Sequence, residues 1–286
     1  MKTLAFLINE TDNSKELIHF AALLGKNLNA KVHVLHIQYP QVYGTSSYMG
    51  GSGATVAIYP SQLQNIAEEV KERVTGFIKE LKAEQSEIPS IEFKSEIGDA
   101  SAILKEKVEN KTYDFVMLQS NAEPSFWLQN SVIMDVVRNV PCPVYIIPPD
   151  ARYQPVKKII YATDYNEEDI TTLKSLIELA KPFDPEILAL HISNDDEFDK
   201  KLKSEGFAKM LSEKTGYNKI SVKMIADEEG KDAVESLVNE AENAKANLIV
   251  VLKENKNFFE RLFKSSFTAE LVKSTHLPIL VFHKTE

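Results

Sequence analysis

Two histidines in similar sequence runs are the first residues of this chain whose type and spacing suggest chemistry. His36 lies in the run Val32-His33-Val34-Leu35-His36-Ile37, and His191 lies in the run Ile187-Leu188-Ala189-Leu190-His191-Ile192. A pair of imidazoles suggests a metal site, but a structural zinc ion needs a full set of such ligands. Neither histidine is part of a full set of Cys, His or carboxylate residues at ligand spacing. We therefore interpret both as core or rim histidines and predict no metal site.

The glycine-rich stretch Gly50-Gly51-Ser52-Gly53 is the one candidate for cradling a phosphate by its glycines. Such loops work when a helix follows at once and offers its free amides to the anion. Here a helix does not follow at once, so we favour a flexible loop. The chain has no glycine-lysine phosphate loop, no nucleophile elbow and no metalloprotease motif. Because no nucleophile–base or carboxylate pair points to a reaction, the sequence favours a protein without enzymatic activity and leaves that question open.

Composition and charge restrict the class of protein. Of 286 residues, 43% are hydrophobic and 26% are charged, which is typical of globular proteins. The formal charge is −9, with −5 in residues 1–150 and −4 in residues 151–286, so neither half has the positive charge that non-specific nucleic-acid binding requires. Glycine is scarce, at 10 residues, where an average protein of this length has roughly 20.

Cysteine use and apolar runs bear on the compartment. A lone Cys142 is compatible with a reducing compartment, and we predict that it is a buried packing residue. The N-terminal apolar run Thr3–Ile8 is too short for a secretory signal. No apolar run approaches the roughly 18 residues that a membrane helix needs. We predict a cytoplasmic protein that binds neither membrane nor nucleic acid.

The elements that must position any site are short strands alternating with helices. A helical spacing of apolar residues follows the first strand-like run, and a stronger helix follows Ser61 and Gln64, which form a capping-box signature. Strands that are apolar throughout and alternate with helices indicate a mostly parallel sheet covered on both faces. The strand-like runs of the first half are Thr3–Ile8, Val32–Ile37, Phe115–Leu118 and Val144–Ile147.

The same order of elements occurs twice. Lys158–Ala162 corresponds to the first strand, and His191 follows His36 by 155 residues. Pro143 and Pro278 correspond at a distance of only 135 residues, so the first half carries extra residues. We predict two α/β domains, residues 1–150 and residues 151–286. The first contains a glycine-bearing insert at about 39–62 that is a flexible loop, a lid or a disordered excursion.

These runs resemble the domains of the universal stress protein family. Residues 157–164, Lys157-Lys158-Ile159-Ile160-Tyr161-Ala162-Thr163-Asp164, are similar to the opening strand and acidic turn of that family. The runs ending in Ile37 and Ile192 resemble its second strand, and residues 140–147 and 275–282 resemble its last strand with its approach. The resemblance covers nearly the whole chain. It implies two tandem doubly wound α/β domains, Rossmann-like and similar to adenine-nucleotide α-hydrolases, each with a five-stranded mostly parallel sheet, paired through their last strands.

Many members of this family bind ATP at the carboxyl ends of their strands, in a loop with three glycines. In the second half, the alignment puts Leu252, Asn255 and Ser265 at the glycine positions, and only Ser266 matches the hydroxyl residue that follows. In the first half, the loop from Gln119 to Asn130-Ser131 also lacks glycine. The resemblance therefore implies ATP as the ligand, but the glycine loop that binds ATP in the family is degenerate in both halves of this chain.

The family's acidic residue after the first strand contacts the ribose. It is present as Asp164, while its first-half counterpart is Asn9, and an amide accepts hydroxyl hydrogen bonds less strongly than a carboxylate. ATP or ADP binding is thus implied for the second domain alone. The contacts that the resemblance gives there are Thr163, Asp164, the backbone of Ile192, Asn255, Ser265 and Ser266.

Each of these residues also has a plainer interpretation. Asp164 contacts a ribose, or it caps the following helix with Asn166 or the nearby carboxylates. Ser131 and Ser266 bind phosphate, or they cap helices. Basic side chains of the second loop replace the glycine amides, or they belong to a solvated surface of mixed charge; these are Lys253, Lys256, Arg261 and Lys264. The aromatic and apolar residues of both loops favour core or interface packing over base stacking: Phe126, Trp127, Leu128, Phe258, Phe259, Leu262 and Phe263.

Two hypotheses for the function follow. The leading one is a tandem universal-stress-type protein, a non-catalytic stress-response or regulatory module with degenerate nucleotide sites, which acts through a protein partner or self-association. The missing glycines and Asn9 favour it. The alternative is a protein that binds ATP or ADP, with or without slow hydrolysis, in the second domain. The presence of Asp164 and Ser266 favours that alternative.

Overall fold

A computed structural model describes the chain in eleven ranges: residues 1–8, 14–38, 42–44, 55–57, 60–85, 87–120, 132–148, 151–193, 197–226, 233–253 and 275–283. By their internal contacts, the residues form two units, Met1–Asp114 and Phe115–Glu286. The boundary expected between Asp150 and Ala151 divides the chain by its sequence repeat and not by internal contacts, and it stays a prediction.

The first unit is a parallel sheet with helices packed against it. Strand β2 lies between β1 and β5 and is parallel to both. The apolar residues of β1 and β2 are buried except for the half-buried Ile37, as expected for strands covered on both faces. The elements are β1 (Lys2–Ile8), α1 (Ser14–Leu28), β2 (Ala30–Gln38), β3 (Val42–Gly44), β4 (Thr55–Ala57), α2 (Pro60–Glu84), β5 (Ile91–Ile97) and α3 (Ala100–Glu109).

The insert of the first half, predicted as a flexible loop, a lid or a disordered excursion, contains two short strands in its described residues. Its strands β3 and β4 pair in antiparallel fashion, with Val42 opposite Ala57 and Gly44 opposite Thr55. The helix that follows also begins earlier than predicted. It starts at Pro60, so Ser61 lies in its first turn instead of at the N-cap. Proline suits this first position because it has no backbone amide to leave unpaired.

The second unit is a sheet of seven strands in the order β10-β9-β8-β11-β12-β7-β6. All neighbouring pairs are parallel except β12 and β7, where Leu280 lies opposite Tyr145 in an antiparallel pair. This pair joins the last strands of the two halves, as the resemblance implies. Its elements are β6 (Phe115–Gln119), α4 (Val132–Asn139), β7 (Val144–Ile147), β8 (Lys158–Ala162), α5 (Glu167–Ala180), β9 (Glu186–Ser193), α6 (Glu197–Thr215), β10 (Ile220–Ala226), α7 (Ala233–Asn243), β11 (Leu248–Leu252) and β12 (Ile279–Phe282).

Both halves secure the start of their first strand in the same way. The Asp114 carboxylate accepts the backbone N–H of Thr3 at 2.7 Å. The Asn247 side-chain oxygen accepts the N–H groups of Lys157 and Lys158 at 2.8 and 3.1 Å. Asp114 and Asn247 precede equivalent strands, β6 and β11, so the sequence repeat is also a repeat of this contact. The lone Cys142 is buried, with 6% of its surface exposed, which confirms the prediction of a packing residue.

Because the pKa values of two buried histidines are lowered in the folded chain, we expect the protein to lose stability on acidification. Burial, followed by the charge of Lys94, lowers the pKa of His33 below its ordinary value of 6.5, although Glu92 lies 3.6 Å from its Nε2. Burial also lowers the pKa of His283. At a pH just below 6.5, the imidazoles of His33 and His283 are therefore protonated to a smaller extent in the folded chain than in the unfolded chain. The stability contributed by the two neutral imidazoles is complete above pH 6.5 and is lost as the pH falls below that value towards the folded-state pKa values.

Urea unfolding between about pH 7 and about pH 5 measures this dependence. We expect the His33→Gln variant to show a smaller loss of unfolding free energy over that interval than the wild type. An equal loss in the variant and the wild type would show that His33 does not contribute.

Candidate functional site

The crevice of the second half lies between two strands whose connections leave in opposite directions. Strands β8 and β11 are neighbours, and β9 and β12 flank them on the two outer sides. In open parallel sheets, ligands bind at the carboxyl ends of the strands at such a switch point. Thr163 and Asp164 follow β8 there, and Lys253 follows β11. We take this edge of the sheet as the candidate site.

A buried carboxylate organises the turn between β8 and α5. Asp169 has no solvent exposure. Its Oδ1 accepts the Tyr161 hydroxyl at 2.7 Å, and its Oδ2 accepts the Thr163 hydroxyl at 2.8 Å. The backbone N–H groups of Asp164 and Asn166 also donate to Oδ2, each at 3.1 Å. Burial, followed by the charge of Asp169, raises the pKa of Tyr161 well above its ordinary value, so this hydroxyl remains a donor.

The same turn places Asp164 beside a histidine. His191 bonds through Nδ1 to the Thr163 carbonyl oxygen at 2.6 Å. A carbonyl only accepts, so Nδ1 carries the hydrogen. The Asp164 carboxylate lies 3.9 Å from the same nitrogen, close enough for an ion pair when the imidazole is protonated. Thr163, Asp164 and His191 are thus brought together at the end of β8 and β9.

Tyr165 covers this group. It has a left-handed backbone, with φ of 59°, and its ring centroid lies 4.5 Å from that of His191 and 4.7 Å from that of Phe207. Burial raises the pKa of its hydroxyl. The crevice therefore has an aromatic lining at the side of α6, beside the carboxylate of Asp164.

The helix cap is not Asp164. Helix α5 has Asn166 as its N-cap, and Asp169 reaches back to the Asn166 backbone N–H. The part of the capping alternative that named Asn166 and a nearby carboxylate is therefore confirmed, and the backbone N–H of Asp164 is itself held by Asp169. Sequence reasoning missed Asp169 and Tyr165. The spacing of Asn166 and Asp169, a cap residue followed three positions later by an acid, was the available signal for the first.

The strand on the other side of the crevice ends in a buried leucine. Leu252, which stands at the first glycine position of the family's loop, has 1% of its surface exposed and pairs with Phe282 of β12. Lys253 follows it. Its ammonium donates to the Arg138 carbonyl at the end of α4. The suggestion that Lys253 holds a phosphate is therefore not supported by the position of its side chain.

The other predicted contacts divide into two groups. Ile192 is half-buried near the carboxyl end of β9, next to His191. The remaining predicted residues lie outside the described residues, and so do the predicted aromatic clusters and the Gly50–Gly53 stretch. Those predicted residues are Asn9, Asn130, Ser131, Asn255, Lys256, Arg261, Lys264, Ser265 and Ser266. Within the described ranges, no three His, Cys, Asp or Glu side chains come together as a metal site requires.

Comparisons with known proteins agree on one family. The sequence model of the universal stress protein family matches residues 1–148 and 155–283. A universal stress protein of Methanocaldococcus jannaschii is 32% identical over 142 residues, which are 45% of this chain and 82% of that protein. In the described part of the chain, no helix is both long enough and apolar enough to cross a membrane.

Solved structures show the same fold. A universal stress protein from Archaeoglobus fulgidus superposes with a TM-score of 0.69 at 15% identity, covering 99% of this chain and 97% of that one. A shorter universal stress protein, solved in complex with cAMP, covers 46% of this chain and 100% of its own, at 16% identity and a TM-score of 0.35. The cAMP is a ligand of that protein.

Proposed function

Because the chain belongs to the universal stress protein family, as two tandem domains, we propose that it is a non-catalytic regulatory module of the stress response with degenerate nucleotide sites. The module acts through a protein partner or through self-association, and it acts in the cytoplasm. The domain boundary near residue 150 is part of the proposal.

One observation carries the degenerate site. Where the family resemblance places a glycine whose backbone approaches phosphate, this chain has Leu252, and the leucine side chain is 1% exposed. A leucine packed into the core does not free backbone amides for an anion, because its Cβ and branched side chain take the space that a glycine leaves open. The strand end that would begin the phosphate loop is therefore used for packing.

Lys253 adds a second reason. A lysine at the start of this loop would be the simplest replacement for lost amides, since its ammonium is a good phosphate donor. Its ammonium instead bonds to the Arg138 carbonyl. Apart from Lys253, the side chains that we place at this edge of the sheet are acidic or neutral, with Asp164 20% exposed and Asp169 fully buried. This charge distribution opposes a polyphosphate.

The alternative is a second-domain site for ATP or ADP. It would use Asp164 and Thr163 at the end of β8, the backbone of Ile192, and Asn255, Ser265 and Ser266. The observation that favours it is the position of Asp164, whose carboxylate stands at the crevice beside His191 instead of capping α5. A ribose diol is a suitable donor to such a carboxylate.

Calorimetric titration with ATP and with ADP, each with Mg²⁺, separates the two functions. We expect no binding at micromolar concentrations to the wild-type chain. Micromolar affinity would contradict the degenerate-site proposal. The Asp164→Ala variant then decides the alternative, because loss of nucleotide-induced thermal stabilisation in that variant would assign the ligand to the second domain.

A further inference from the structure

The C-terminal end of α4 is completed by two side chains from the second matched segment, 155–283. Lys253, one residue beyond β11, donates from Nζ to the Arg138 carbonyl. His283, one residue beyond β12, bonds through Nε2 to the Val137 carbonyl at 2.6 Å. The last carbonyls of a helix have no partner inside the helix. Helix α4 belongs to the first segment, so its end is satisfied from the other domain.

The chemistry of both contacts suits a helix end. A carbonyl oxygen only accepts, so His283 donates its Nε2–H, which a neutral imidazole can do. Burial lowers the pKa of His283 against the opposing effect of the Val137 carbonyl, and this keeps the neutral form at neutral pH. Lys253 brings a positive charge to the negative end of the helix dipole. Neither contact requires a ligand.

The contact of Lys253 does not follow from the shared fold of the two domains. The backbone N–H of Lys253 donates to the Phe282 carbonyl at 2.9 Å, and that of Ser120 donates to the Ile147 carbonyl at 2.9 Å. The two residues therefore hold the same position in their domains. The Ser120 hydroxyl turns back to Ile147 of its own domain, at 3.3 Å. The contact with α4 therefore depends on the lysine side chain at position 253, whose ammonium bonds to the Arg138 carbonyl, and not on the backbone that both domains share.

We propose that Lys253 and His283 couple the two domains, so that the order of α4 in the first domain depends on the ends of β11 and β12 in the second. Coupling of this kind is reciprocal: whatever loosens α4 also loosens Lys253 and His283. Lys253 is the last described residue before residues 254–274, and α4 begins directly after residues 121–131. A change at the end of β11 is thereby transmitted to α4, whether or not either crevice binds a nucleotide.

Hydrogen exchange of the full chain, followed by mass spectrometry, tests the forward direction. We expect Lys253→Met and His283→Leu each to speed exchange of the last amides of α4 by about threefold to tenfold. Exchange in β5 should stay unchanged. The matched control is Lys223→Met, whose ammonium bonds to Glu240 within the second domain at 2.7 Å. Unchanged exchange in α4, or an equal rise in α4 and β5, would overturn the proposal.

The reverse direction uses a substitution in α4 itself. Arg138 is exposed, and Arg138→Gly weakens the helix through backbone entropy and through the loss of a positive charge in its last turn. We expect faster exchange of the Lys253 amide, which is bonded to Phe282. Glu106→Gly in α3 is the control, because it weakens an exposed helical position elsewhere in the first domain. An equal effect of the two glycine variants on Lys253 would show that no specific coupling exists.

Discussion

An Asp169→Ala variant is expected to lose about 4 kcal/mol or more of unfolding free energy, the largest effect that we expect from a single side chain. The carboxylate is fully buried and accepts four hydrogen bonds. Removing it leaves the Tyr161 and Thr163 hydroxyls and the N–H groups of Asp164 and Asn166 without their acceptor. Each buried unpaired donor costs about 1–3 kcal/mol, and the four are not fully additive.

Two variants make this measurement specific. Asp169→Asn keeps one carbonyl oxygen for the three donors on Oδ2 and is expected to lose less than half as much as the alanine variant. Asp164→Asn, on the same turn but partly exposed, is expected to lose under about 1 kcal/mol. Urea unfolding followed by circular dichroism measures all three. A loss below about 1 kcal/mol for Asp169→Ala would mean that the turn does not depend on this carboxylate.

A Leu280→Ala variant is expected to lose about 2–5 kcal/mol, because it opens a cavity where the last strands of the two domains meet. Leu280 has no exposed surface and lies opposite Tyr145, which is 4% exposed, in the antiparallel pair of β12 and β7. The neighbours Val281 and Val144 are also fully buried, so the site has little room to collapse around a smaller side chain.

The control for this prediction is another leucine. Leu202 on α6 is 62% exposed, and Leu202→Ala is expected to change the unfolding free energy by no more than about 0.5 kcal/mol. Urea unfolding followed by circular dichroism measures both variants. Equal losses for Leu280→Ala and Leu202→Ala would contradict the packing at the strand pair.

The fold was predictable because most strands are apolar throughout. The predicted runs Phe115–Leu118 and Val144–Ile147 are strands Phe115–Gln119 and Val144–Ile147, which confirms them. Strand β5 was not identified from its own residues. Its residues alternate, with Glu92, Lys94 and Glu96 on one side, because this charged face is partly exposed. Among the described strands, β5 pairs with β2 alone. Such a strand has no continuous apolar run to find.

The candidate site was less predictable than the fold. The sequence indicated Asp164 from the family resemblance. The structure places its carboxylate 3.9 Å from His191 Nδ1, and its role as a site residue stays a prediction. The sequence did not indicate that Asp169 holds the turn, since an acid in the first turn of a helix is usually a solvated complement to the helix dipole. The use of Lys253 also depends on a partner, the Arg138 carbonyl, that lies 115 residues away in the chain. Contacts at such separations leave no local pattern.

The antiparallel pair of β7 and β12 has a consequence for how the two domains change over time. When two identical chains pair through their last strands, every substitution appears twice, once on each side of a two-fold axis. Here both partners are parts of one chain, so the symmetry is broken by covalent linkage and each side varies independently. Ser120 and Lys253 show the result, with equal backbone bonds and different side-chain partners. One side can thus lose a ligand while the other acquires a new contact.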